Sequence, residues 1–245
     1  MDSNNNTISN NLISSNYDYG IYLYESNNNS ISNNLISNND YGIDLEGNIN
    51  SIFNNIISNN GGGMVLRGNN NIISNNIISN NNGGTYFYGN NNIISNNLIS
   101  SNTYEGGIEL WGNNNSISNN NINSNYWYGI SLYESNNNII YLNNFINNTC
   151  NAYSYNSTNI WNSTEQIIYT YRGSKFENYM GNYWDDYKGS DANGDGIGDI
   201  PYSIGSDKDN YPLMRPFEYY FAPEEPIVSV STDKYEYRAG DVMLI

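Results

Sequence analysis

The five residues Gly42-Ile43-Asp44-Leu45-Glu46 are one copy of a segment that the chain writes six times. The other copies open at Gly20, Gly63, Gly84, Gly107 and Gly129, so the leading glycines stand 22, 21, 21, 23 and 22 residues apart. A second marker, the Asn-Asn of ISNNLIS, begins at Asn10, Asn33, Asn54, Asn75, Asn96, Asn119 and Asn143, with intervals of 23, 21, 21, 21, 23 and 24. Two independent markers on one period mean that a single supersecondary unit is repeated. Leucine-rich repeats share the length, but they need a Leu-rich pattern, whereas this chain has short β-type alternation broken by Asn and Gly turns. The period predicts an all-β fold, a right-handed parallel β-helix (solenoid) of about seven coils with a C-terminal capping segment. Stacked at the strand spacing, seven coils make a column roughly 34 Å tall.

Within each copy the second and fourth letters are apolar and predict two inward ladders. One is Ile21, Ile43, Met64, Thr85, Ile108, Ile130; the other is Leu23, Leu45, Leu66, Phe87, Leu110, Leu132. A third, from the NNxIS segment, is Ile8, Ile31, Ile52, Ile73, Ile94, Ile117. No coil is stable alone, because only its neighbours cover its apolar face. The 56 Asn residues, 48 of them before residue 150, fit the corners: Asn tolerates the left-handed conformation and bonds its own backbone. Stacked corners predict amide ladders along the column. Glycosylation sequons at Asn5, Asn28, Asn114, Asn147, Asn156 and Asn162 are expected by chance at this Asn content.

The formal net charge is −16, with no His and one Cys, Cys150. Low hydrophobicity with high charge suggests disorder, but a strict Ile and Tyr repeat argues against it. The absence of a basic patch argues against nucleic-acid binding, and no apolar run has the length for membrane insertion as a helix. Without His there is no imidazole for acid–base or metal work.

The coil NNNxISNNxIS…YGIxLxxS, together with the closing segment GNYWDDYKGSDANGDGIGDIPYSI and DNYPLMRPF, resembles the NosD-type right-handed parallel β-helix (PbH1 repeat) family of archaeal and bacterial cell-surface proteins, over residues 4–217. That resemblance implies an extracellular or cell-surface location. It also implies a copper-delivery role, which is not carried over: copper wants His, Cys or Met ligands, and the five Met form no cluster. The expected organisation is coils over 1–150, final coil or coils and cap over 151–220, and over 221–245 a linker with the start of a truncated immunoglobulin-like domain. The repeat is already running after Met1 and the run DVMLI is strand-like. This reads as a fragment whose signal and anchor lie elsewhere, and end-to-end self-association of columns is an expectation of the same kind.

The third and fifth letters wander. Alternation turns them outward, as columns Tyr22, Asp44, Val65, Tyr86, Glu109, Ser131 and Tyr24, Glu46, Arg67, Tyr88, Trp111, Tyr133. Aromatic faces suit sugar rings and carboxylates suit hydroxyls. The expected ligand-binding residues are therefore Tyr22, Tyr24, Asp44, Glu46, Arg67, Tyr86, Tyr88, Glu109, Trp111 and Tyr133, and the expected partner is a polysaccharide or glycoprotein of the cell envelope. The bland reading is cross-strand tyrosine packing and nothing more. An alternative is a polysaccharide-acting lyase or hydrolase using Asp44, Glu46 and Glu109. Asp44 and Glu46 would stand roughly 7 Å apart, near the inverting-glycosidase range. However, Arg67 beside Glu46 would hold it ionised, and Glu109 would lie roughly 14 Å from Asp44. A structural or binding module is favoured.

Asp191, Asn193 and Asp195 alternate before Gly196, with Ile197 and Asp199 following. This is the front half of an EF-hand-type loop and predicts a structural Ca2+ clip. Position twelve is Tyr202 rather than Glu; plain Asx turns are the alternative. Tyr179, Tyr183, Trp184, Tyr187, Tyr211, Pro212, Leu213 and Met214 are expected to cover the last coil, since an open sheet edge invites pairing with other chains.

Overall fold

A computed structural model describes residues 3–221. Each coil contributes three strands, and each strand stacks in parallel on its counterpart one coil away. The first sheet has seven strands, from Thr7–Ser9 to Ile139–Tyr141. The second has eight, from Leu12–Ser14 through Asn144–Ile146 to Tyr183–Trp184. The third has seven, from Tyr19–Leu23 to Cys150–Tyr155. The expected parallel β-helix of about seven turns is what forms.

All three expected apolar ladders point inward: Ile43, Met64, Ile108, Leu45, Leu66, Ile52 and Ile94 are completely buried. A fourth ladder, not singled out from the sequence, completes the core. It comes from the second strand, as Ile36, Ile57, Ile78, Ile99, Ile122 and Phe145, all fully buried. Trp184 extends it, its ring stacked 4.5 Å above Phe145 at 7°, and Tyr202 stacks on Trp184 in turn at 4.3 Å.

The asparagines divide their labour. In every pair but the seventh, where Leu142 takes the corner and Asn143 turns inward, the first Asn turns the corner in the left-handed region, as at Asn33, Asn54 and Asn75 with φ of 56°, 55° and 57°. The second points inward and is buried, as at Asn34, Asn55, Asn76, Asn97 and Asn120. Its carboxamide holds three coils together. Asn55, for example, donates from its backbone N and from Nδ2 to Asn76 Oδ1, both at 3.0 Å, and from Nδ2 to the Ile31 carbonyl at 2.9 Å. Three such inward columns run in one direction, each coil donating towards the C-terminal end. Buried amides are tolerable only because every member finds partners.

A ladder of donors needs a final acceptor, and the closing segment supplies one for each column. At the head of the column through Asn143, Asn182 N and Trp184 Nε1 both donate to Asp209 Oδ2, at 2.7 and 3.0 Å. Asn159, following Asn138, donates to Asp207 Oδ2 at 3.2 Å. Asn151, following Asn148, donates to Asp185 Oδ1 and Asp186 Oδ1 at 2.8 and 2.9 Å. Asp209 is fully buried, and burial pushes its carboxyl up to about 6 against the donors that pull it down. Of the residues expected to cover the last coil, Trp184, Pro212 and Leu213 are buried and the other five half-buried, with Trp184 stacked on Phe145. Except for Phe221, the expected linker and immunoglobulin-like start lie outside the described residues.

Candidate functional site

The two outward columns form in the expected register. Tyr22 pairs with Asp44, Asp44 with Val65, Val65 with Tyr86, Tyr86 with Glu109 and Glu109 with Ser131. Beside them Glu46 pairs with Arg67, Arg67 with Tyr88 and Tyr88 with Trp111. The columns continue to Tyr153 and Tyr155, which pair with Ser131 and Tyr133.

Two expectations need correction. Arg67 does not bridge to Glu46; its Nη1 lies 2.5 Å from Asp44 Oδ1. The guanidinium reaches diagonally, one coil back and two residues along the strand, past Val65, a distance a long side chain spans easily. Asp44 is consequently not a solvent-facing carboxylate but 6% exposed. Asp44 therefore stands as a buried carboxylate paired with Arg67, not as one open to solvent beside Glu46.

Three of the expected residues, Glu46, Arg67 and Tyr88, meet at the far edge of the third sheet, where with Glu25 they line a groove of about 620 Å³ together with Gly47, Gly68 and Gly89 and with Asn27, Asn48, Asn69 and Asn90. Its floor exists because the stacked corner has no side chains. A Cβ on Gly68 would lie 1.9 Å from the Gly47 carbonyl oxygen, and one on Gly89 would lie 1.8 Å from that of Gly68. Along one side the Asn columns bond from coil to coil, with Asn69 N donating to Asn48 Oδ1 at 2.8 Å. Arg67 also sits 5.9 Å from the ring centroid of Tyr88, within reach of a cation–π contact.

The groove does not stop there. A second hollow of about 310 Å³ shares Gly89 and Asn90 with it and adds Trp111, Gly112, Asn113, Tyr133 and Glu134. Trp111 and Tyr133 are stacked, with centroids 4.9 Å apart at 15°, and Trp111 Nε1 donates to Glu109 Oε1 at 2.7 Å. Glu109 and Tyr133 also line a hollow of about 280 Å³ with Tyr104, Trp127 and Tyr128. Burial, with Glu109 adding, pushes the Tyr133 phenol up. Tyr86 lines a separate hollow with Asp40, Tyr41 and Tyr104. Tyr22 stacks on Tyr19 at 4.8 Å instead, and neither it nor Tyr24 lines the groove. Sequence reasoning missed the glycines and asparagines of the floor. Their signal was present in EGN, RGN, YGN and WGN, where a Gly follows the strand glycine by five residues in four coils.

In the loop at 191–199 the carboxylates are engaged by the loop's own amides. Asp191 Oδ1 accepts from Gly194 N and Asp195 N, Asp191 Oδ2 from Gly196 N, and Asp195 Oδ1 from Ile197 N. Asp199 Oδ2 accepts from Ala192 N at 2.9 Å. Of these contacts only Asp195–Ile197 is an Asx turn; Asp191 gathers amides three to five residues on, and among the described residues no three His, Cys, Asp or Glu side chains form a group that could hold a metal ion.

A family model described as "Periplasmic copper-binding protein (NosD)" matches residues 1–82 and 47–189, and the chain belongs to that family. Searches of curated proteins and of solved structures found no match. Among the described residues no helix is long and apolar enough to cross a membrane. The copper of the family's description finds poor donors among the described residues: there is no His, Cys150 is exposed, Met64 is sealed in the main core, and Met180 lies in the second core with only Met214 packed against that cluster. Copper prefers imidazole, thiolate or clustered thioether.

Proposed function

We propose that this NosD-family chain is an extracellular or cell-surface β-helix module that binds a neutral or cationic polysaccharide along the outer edge of its third sheet. The observation that carries this reading is the continuous groove with a glycine floor: carboxylates Glu25 and Glu46 and the cation Arg67 at one end, the stacked Trp111–Tyr133 pair at the other. Aromatic faces cover the C–H faces of sugar rings, and ionised side chains with amides bond the hydroxyls. Binding is preferred over cleavage because Asp44 is buried against Arg67. Glu46 then lacks a free carboxylate partner on its own strand.

A glycan array probed with the full chain, followed by calorimetric titration of the best ligand, tests this. Saturable binding weakened at least tenfold in both Trp111→Ala and Tyr88→Ala is expected; an array without signal, or binding unchanged in both variants, overturns it. Release of reducing or unsaturated sugar ends, abolished in Glu46→Gln, would replace binding by catalysis.

The loop at 191–199 supports a second, smaller proposal, a structural Ca2+ held by Asp191, Asn193, Asp195, Asp199 and the Ile197 carbonyl. Hard oxygen donors at alternate positions with Gly196 at a φ of 89° are what such a loop requires. A melting temperature that Ca2+ fails to raise, and that chelator and Asp195→Ala leave unchanged, removes it.

A further inference from the structure

The charges of the coils are segregated. Every strand of the first and second sheets, and every corner that joins them, is free of Asp, Glu, Lys and Arg. The coil charges lie on the third strands or on the turns that flank them. The uncharged side is also apolar. Leu12, Leu35, Ile56, Ile77 and Leu98 form one registered outward column on the second sheet. They are 72%, 41%, 43%, 39% and 36% exposed, and Ile72 and Ile93 on the first sheet are each 44% exposed.

The fold does not demand this stripe. In the same column Asn121 and Asn144 follow Leu98 in register, and in the matching column of the first sheet Ser30, Ser51 and Ser116 occupy the position. At Asn121 and Asn144 the face is covered from within the chain, by Glu218 Oε1 and Oε2 at 2.9 and 2.8 Å. The aliphatic stripe begins where that cover ends.

We infer that the stripe is the interface through which two copies of this chain associate side by side. Charge selects the occupant: a protein of net charge −16 meets its own kind with least repulsion on the stripe from Leu12 to Leu98, where the strands and corners of the first two sheets carry no carboxylate and Glu218 lies beyond the end, at Asn121 and Asn144. Shape agrees, because a column repeated at the coil spacing is complementary to itself in a two-fold, isologous contact. Five coils are about 24 Å tall and two three-residue strands about 20 Å wide. The two copies then bury on the order of 1,000 Å² in total, at the lower end of specific interfaces. The dimer is accordingly concentration-dependent rather than obligate, and it leaves the groove on the third sheet open in both copies.

Sedimentation velocity of the full chain over a hundredfold concentration series tests the interface. The expected result is a monomer–dimer transition that salt strengthens, because salt screens the repulsion between the two acidic bodies. Ile56→Asn with Ile77→Asn, a residue the same column holds at Asn121 and Asn144, is expected to raise the dissociation constant at least tenfold while the circular dichroism spectrum stays the same. Leu98→Asn alone is expected to give a smaller shift in the same direction, and Trp111→Ala none. A monomer at every concentration and salt level, or a dimer that the Asn variants leave unchanged, overturns the interface.

Discussion

The inside of the column and the outside of its third sheet are built on the same backbone and obey different rules. Inside, a position keeps its chemistry from coil to coil: Ile31, Ile52, Ile73, Ile94 and Ile117 are all isoleucine and all fully buried. The buried amides at Asn34, Asn55, Asn76, Asn97 and Asn120 are equally uniform. Outside the third sheet the paired positions run Glu46, Arg67, Tyr88 and Trp111. Close packing and buried hydrogen bonds tolerate little variation, whereas a solvated face is free to diverge where the fold makes no demand on it. The contrast separates residues that hold the molecule from residues that can meet something else.

The largest effect should come from breaking an interior ladder. Asn97→Ala removes the acceptor of Asn76 N and Nδ2 and the donor to Ile73 O and Asn120 Oδ1, all buried. Buried polar groups left unsatisfied cost about 1–3 kcal/mol each, so denaturant unfolding should report a loss of about 3–5 kcal/mol. Next in size is the ladder's terminal acceptor. Asp209 binds its proton more tightly folded, at about 6, than at the ordinary value of 3.8. Its contribution to stability is therefore fully present below pH 3.8 and falls away as pH rises to about 6. At about 1.36 kcal/mol per unit this is about 3 kcal/mol. The difference in unfolding free energy between wild type and Asp209→Asn should follow that slope; a difference independent of pH contradicts it.

Two smaller tests sharpen the contrast from the other side. On the exterior, Tyr88→Ala should change unfolding free energy by about 0.5 kcal/mol or less while weakening glycan binding at least tenfold. At the corner between third and first sheets Asn28, Asn70, Asn91 and Asn114 all adopt left-handed φ, yet the second coil puts Ile49 there with φ of 60° and 60% exposed. A β-branched residue in that region is strained by about 1–2 kcal/mol, so Ile49→Asn should stabilise the chain by about 1 kcal/mol in thermal or denaturant unfolding.

Much of this was legible in the sequence because periodicity reports which side chains share a face. The coil number, the three strand ladders of Ile and Leu, and the neighbours across the outer columns follow from alternation and a constant period. What was hidden depends on reach and on absence. The Arg67–Asp44 bridge is a diagonal contact that only the length of a guanidinium side chain decides. The groove is made by residues that lack side chains, Gly47, Gly68 and Gly89, which sequence patterns mark as turns rather than as a floor. The matching of three amide columns to Asp207, Asp209 and the Asp185–Asp186 pair links residues tens of positions apart through a non-repeating segment. No periodicity reaches across that segment.

The most direct trial is a calorimetric titration of the best array ligand into three proteins: wild type, Tyr88→Ala, and the double variant Ile56→Asn with Ile77→Asn. A one-site isotherm in wild type, lost in Tyr88→Ala and unaltered in the double variant, is the result expected of a recognition edge confined to the third sheet. Equal heats from wild type and Tyr88→Ala, or binding abolished only by the changes on the opposite face, would contradict it.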